Sequence, residues 1–216
     1  MNSFITDPEG IESKSMLIIE AELGEKLKTF SPAEAAVVKR IIHTTADFEY
    51  ADLLALSTGA MEAAAESLRA EGGVIVTDTN MIAAGINKGL LGRFGGRVEC
   101  LVAEEETRTA ALEAGLTRSM VNIRRAVEKY PGAVYVIGNA PTALYELLRL
   151  IGEKKAEPAL VLGVPVGFVE ATESKQELLK SQVPHIVIRG RKGGSTVAVA
   201  IVNALLKLAA GSRAES

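Results

Sequence analysis

Five short apolar runs punctuate the chain after residue 72: GGVIVTD, RVECLVA, AVYVIGN, EPALVLG and PHIVIRG. Each is rich in Val, Ile or Leu, and none alternates strictly between apolar and polar residues. A strand with one face in water alternates; a strand covered on both faces does not. Helix-patterned stretches stand between most of them: TNMIAAGINKGLL, LTRSMVNIRRAVEKY, APTALYELLRLIGEK and SKQELLKSQ, with another after GRKGG. The alternation predicts an α/β fold with a five-stranded, mostly parallel sheet and helices on both faces. The region before residue 72 reads as helical. No linker or repeat interrupts the pattern, so residues 1–216 read as one domain whose last residues, GSRAES, are frayed.

A chain of 216 residues with 48% apolar content can bury a core without covalent staples. Its lone Cys100 cannot form an internal disulfide and reads as a small buried hydrophobe. No CxxC motif or Cys/His cluster points to a metal. MNSFITDPEG is polar and unlike a signal peptide, and no apolar run reaches the roughly 18 residues a membrane span needs. These features predict a soluble cytoplasmic protein. The net charge of −3 argues against nucleic-acid binding, so an anionic ligand would need a local cluster of arginines.

In a parallel sheet of this kind, ligands bind beyond the carboxyl ends of the strands. Those ends carry Asp78, Asn139, the GVPVGF loop and Arg189. Asp78 and Asn80 follow the first strand, where they serve as a helix cap or a pocket wall. Gly138 and Asn139 precede Pro141 at a helix start, whose free N–H groups suit a carboxylate. GRKGGST lacks the spacing of a P-loop, and no G-x-G-x-x-G occurs, which counts against a nucleotide enzyme. Its glycine-rich turn can still hold an anion, reinforced by Arg189, Arg191 and Lys192. His185 opens a strand and reads as structural.

The helix SPAEAAVVKRIIHTTAD has clear start signals: Ser31 as N-cap, Pro32 at the first position and Glu34 completing a capping box. At 100° per residue Val37, Val38, Ile41, Ile42 and Thr45 form one apolar arc. His43 falls nearly opposite its centre, with Arg40 three residues earlier as a neighbour. His43 is therefore off the core. It either faces solvent at the helix C-terminus, or joins Arg40 at a cleft, where the arginine grips an anion and the ring exchanges a proton.

The segment IIHTTADF, with an arginine three residues before its histidine, resembles the active-site segment of the precorrin-8X methylmutase family of cobalamin biosynthesis. The resemblance continues in order through TDTNMIAAGI, LTRSMVNI, VIGNAPTAL, LGVPVGFVEATESK and RGRKGGSTVAVAIVNALL, nearly the whole chain. It implies an isomerase that moves a methyl group from C-11 to C-12 of a contracted tetrapyrrole, without a cofactor, giving hydrogenobyrinate or cobyrinate. Both branches of the family are covered, one with a metal-free substrate and one with its cobalt complex; HTTADFEY is more similar to the cobalt branch. By the same resemblance His43 is the catalytic acid/base, Ser15 and Arg40 line the substrate, and Arg118 lies near the site. The remaining candidates for substrate contact are Asp78, Asn80, Asn139 and Arg189.

The chemistry asks for one proton donor, a water-poor pocket and cations for peripheral carboxylates. The implied partner is that tetrapyrrole, with no nucleic acid and no membrane. The resemblance also implies a homodimer, and the small residues of STGAMEAAAESLRA would allow close helix contact. The competing reading is a corrinoid carrier that holds the ring without changing it.

Overall fold

The computed structural model describes residues 6–211. The elements run in the order α1 (Pro8–Leu23), α2 (Pro32–Thr45), α3 (Tyr50–Leu53), β1 (Leu54–Leu56), α4 (Ala60–Arg69), β2 (Val74–Thr77), α5 (Asn80–Gly85), α6 (Lys88–Gly92) and β3 (Arg97–Glu99). Then follow α7 (Glu105–Ala114), α8 (Arg118–Lys129), β4 (Val134–Ile137), α9 (Pro141–Gly152), β5 (Leu160–Gly163), α10 (Ala171–Leu179), β6 (His185–Ile188) and α11 (Ser195–Gly211). The frayed C-terminus expected from GSRAES falls on residues 212–216, outside the described residues.

The sheet has the order β1-β6-β5-β4-β2-β3. Pairings among β2 to β6 are all parallel. The five predicted strands are present and carry the expected α/β architecture. A sixth, β1, was missed: Leu54, Ala55 and Leu56 pair antiparallel with Ile188, Val187 and Ile186. Three residues of Leu-Ala-Leu have no strand signal of their own. What makes them a strand is the open edge of β6, which lies 130 residues away in sequence.

The absence of alternation has its expected cause. Val134 and Val136 of β4 face one core, shared with Leu160, Leu162, Ile186 and the inner faces of α2 and α11. Tyr135 and Ile137 face the other, shared with Val161, Val187 and the inner faces of α8 and α9. Every strand residue of β4, β5 and β6 is buried.

The stretch TNMIAAGINKGLL, expected as one helix, breaks at Ile86–Asn87 into α5 and α6. Asn203 of α11 repairs the break: its side chain accepts from the Asn87 N–H at 2.8 Å and donates to the Gly85 carbonyl at 3.0 Å. Helix α7 was also not anticipated. The small side chains Ala60 and Ala64 of α4 are buried within the chain, where α4 packs on α11.

Candidate active site

Helix α2 is built as its sequence dictates. Ser31 accepts from the Glu34 N–H at 3.3 Å and Glu34 accepts from the Ser31 N–H at 2.8 Å, which closes the capping box. Val37, Val38, Ile41 and Ile42 are at most 1% exposed, and His43 in the last turn is exposed. The ring thus projects from the polar side of a helix whose other side is locked in the core.

Arg40 is not free beside it. Its guanidinium is bound to Glu12 of α1 at 2.5 Å, and Glu12 also accepts from Lys207 of α11 at 3.2 Å. The Arg40 hydrogen bond, then that of Lys207, holds the Glu12 carboxyl down to about 2. Arg40 and Lys207 border a depression of about 650 Å³ between α2 and α11, with Pro32, Ala36 and Ala204. Ser15, one turn on from Glu12, donates its hydroxyl to the Ile11 carbonyl at 2.9 Å, a bond within its own helix.

The second group of candidates lies where the chain reverses direction across the sheet. From β2 it moves outward to β3, then returns past β2 to β4, so the carboxyl ends of β2 and β4 flank a topological switch point. The cradle expected there exists, but its occupant is internal. The Asp78 carboxylate, 1% exposed, accepts from the N–H groups of Gly138, Asn139 and Ala140 at 3.0, 2.9 and 2.8 Å. Those N–H groups are therefore not open to a ligand carboxylate. Burial pushes the Asp78 pKa up, opposed by these donors. Asp78 is a tie between two strand ends, and Asn80, Asn139 and Arg118, at the helix starts that follow, are exposed. Arg118 opens α8, which is joined to α9 by Thr117 and Thr142 at 3.2 Å.

Asn122 of α8 completes this end of the sheet and was not singled out in the sequence. Fully buried, it accepts from the Leu101 N–H at 2.7 Å and donates to the Thr77 carbonyl at 3.1 Å. Its signal was available: a polar residue between Val121 and Ile123 on the buried side of an amphipathic helix needs a partner.

The loops after β5 and β6 form one wall. The Gly194 N–H donates to the Val164 carbonyl at 2.9 Å, and the Gly167 N–H to the Arg191 carbonyl at 3.2 Å. Gly193 has φ +148, and a Cβ there would stand 2.2 Å from the Val164 oxygen, so only glycine fits. Lys175 of α10, 1% exposed, donates its ammonium to the Lys192 carbonyl at 2.9 Å, and burial lowers its pKa to about 8. It shares a buried helix stripe with Ala171, Ser174 and Leu178, a spacing that could have revealed it.

Lys192 is not an open anion site. Its ammonium pairs with Asp47 at 2.5 Å and Glu49 at 2.7 Å, both just beyond α2. That bridge ties the end of the His43 helix to the wall. Arg191 instead lies over the Phe168 ring at 5.4 Å. Arg189 is exposed at the outer end of β6, its N–H bonded to the Leu53 carbonyl at 2.8 Å. His185 is structural as expected: 4% exposed, its Nδ1 lies 2.9 Å from the Val183 carbonyl.

The fold and the site together describe a doubly wound α/β protein with an exposed histidine, a two-loop wall near the carboxyl ends of its strands, and three arginines, Arg118, Arg189 and Arg191, that have no ion pair among the described residues. The precorrin-8X methylmutase family model matches residues 10–208. A cobalt-precorrin-8 methylmutase from Salmonella typhimurium is 44% identical over 207 residues, 94% of this chain and 96% of that one. Another from Priestia megaterium is 42% identical over 202 residues, 94% of this chain and 88% of that one. The crystal structure of a precorrin-8x methyl mutase from Thermus thermophilus superposes with a TM-score of 0.86 at 44% identity, covering 94% and 97% of the two chains. The chain belongs to the precorrin-8X methylmutase family, isomerases of cobalamin biosynthesis. No helix among the described residues is long and apolar enough to cross a membrane.

Proposed function

We propose that this protein moves the methyl group of precorrin-8, or of its cobalt complex, from C-11 to C-12, giving hydrogenobyrinate or cobyrinate. The names of the two curated relatives support the cobalt complex as the first substrate to test. In such a shift one carbon–carbon bond breaks and its neighbour forms, with no net oxidation or reduction. The reaction therefore needs no external electron carrier, which supports a cofactor-free mechanism.

The observation that carries the reading is the placement of His43: an exposed imidazole on a helix anchored by its apolar arc and tied to the strand-end loops through Lys192. His43 donates a proton or strong hydrogen bond to the macrocycle as the methyl moves, and takes it back afterwards. Arg40 and Arg118 bind peripheral carboxylates, Arg40 by exchanging Glu12 for a substrate carboxylate. Ser15, Asn80, Asn139 and Arg189 are proposed as further contacts, and Asp78 as the residue that holds Asn139 in place. The protein is proposed to act in the cytoplasm as a two-fold homodimer; a monomeric mass by light scattering at micromolar concentration would end the dimer proposal.

The test is incubation with precorrin-8 and with cobalt-precorrin-8, followed by absorption spectroscopy. Conversion of either supports the reading. Binding without spectral change would make the protein a corrinoid carrier instead.

A further inference from the structure

Phe168 is 85% exposed and Val169 79%, the two most exposed large apolar side chains among the described residues, and Val166 of the same loop is 47% exposed. A solvated phenylalanine on a loose loop would carry little meaning. This loop is fixed at both ends. Val164 accepts from Gly194, Gly167 donates to Arg191, and Glu170, directly after Val169, sits at φ +60 as α10 begins. The ammonium of Lys175 holds the facing loop from beneath through the Lys192 carbonyl. The loop backbone therefore holds Phe168 at the carboxyl end of β5, with the Arg191 guanidinium over its ring.

Arg191 lies over this ring and has no ion pair among the described residues. Its neighbour in sequence, Lys192, is neutralised by Asp47 and Glu49. The wall thus offers one apolar patch and one uncompensated guanidinium side by side. A ligand that matches both must combine a broad apolar face with an anionic periphery.

We infer that Phe168 and Arg191 form a recognition platform for the macrocycle, the ring of Phe168 packing on its apolar face and Arg191 binding one peripheral carboxylate. The inference rests on the function proposed above, since a tetrapyrrole bearing several carboxylates is a ligand of that composition. The platform determines affinity for the large ring and leaves the proton chemistry to His43.

The experiment titrates cobyrinate and hydrogenobyrinate into the full chain by absorbance, comparing wild type with Phe168→Ala, Phe168→Tyr and Arg191→Ala. Each alanine variant is expected to raise Kd roughly tenfold or more, as loss of an aromatic contact or a charge-assisted hydrogen bond does. Phe168→Tyr, which keeps the ring, should lie within about threefold of wild type, against the tenfold expected on losing the aromatic contact. Circular dichroism should show all variants folded, because neither side chain fills a core. Wild-type binding with unchanged Kd in both alanine variants would overturn the platform while leaving the proposed function standing. Failure of the wild type to bind either corrinoid would overturn both. Light scattering supplies the remaining outcome: if Phe168→Ala turns a dimer into monomers without changing Kd, the patch belongs to a second copy and the platform is wrong.

Discussion

The carboxylate of Asp78, at the end of β2, lies 2.9 Å from the backbone N–H of Asn139, at the end of β4. Gly138 and Ala140 donate to the same carboxylate. One side chain thus satisfies three donors across the switch point of the sheet, two of them buried. Asp78→Ala leaves all three without a partner. A buried donor stripped of its acceptor costs about 1–3 kcal/mol, so with two such donors the variant should lose about 2 kcal/mol or more of stability. Asp78→Asn, with one acceptor oxygen in place of two, should fall between. Urea unfolding of both variants measures this, and a wild-type midpoint for Asp78→Ala would refute the assigned role.

His43→Asn should separate chemistry from binding. The ring lies off the apolar arc and is exposed, so folding should survive. General acid/base catalysis is worth ~10²- to 10⁴-fold, and single-turnover rates should drop by that order while product binding persists. A folded variant turning over at the normal rate would leave His43 a surface residue.

Arg40 and Arg118 should behave differently although both are proposed to hold carboxylates. Arg118 is exposed and has no ion pair among the described residues, so Arg118→Ala should change stability by less than about 0.5 kcal/mol. Its product affinity should weaken by about 1.5–3 kcal/mol. Arg40→Ala should weaken affinity by the same order and also release Glu12, which then keeps only Lys207. Calorimetric titration with product decides; wild-type affinity in both variants would mean the macrocycle binds elsewhere.

Lys175 gives a pH dependence of a definite sign. Its pKa is lowered by burial from 10.5 to about 8 in the fold. Between pH 8 and 10.5 the unfolded chain therefore binds more protons than the native one, and the contribution of Lys175 to stability rises with pH across that window. The gain amounts to about 3 kcal/mol, at 1.36 kcal/mol per pH unit, and the full penalty is present below pH 8. Lys175→Met, which cannot titrate, should lack this rise. Denaturant midpoints of the two proteins, measured from pH 7 to 10.5, should converge or cross. Parallel curves would show that Lys175 does not titrate in this range.

Local pattern was enough wherever neighbours in sequence are neighbours in space. The Ser31 and Glu34 capping box, the buried arc from Val37 to Ile42 and the outward placement of His43 all follow from a period of 3.6 residues. The unalternating strands announced a sheet buried on both faces. The same order of strands and helices, with a family resemblance along nearly the whole chain, placed the candidate site near the strand ends.

Partners distant in sequence were another matter. Leu54–Leu56 became a strand only because β6 offered an edge. Asn203 decided that α5 and α6 would be separate, by capping the break from 116 residues away. Asp78 turned inward to fill the cradle at Gly138 and Asn139, and Glu12 took Arg40 across 28 residues. Lys175 was buried beneath the loop it supports. The reason is common to all of them: periodicity selects which face of an element is apolar, but the partner of a polar group depends on where packing brings the other elements. A buried donor or acceptor binds whichever complementary group packing sets beside it, because remaining unpaired costs more.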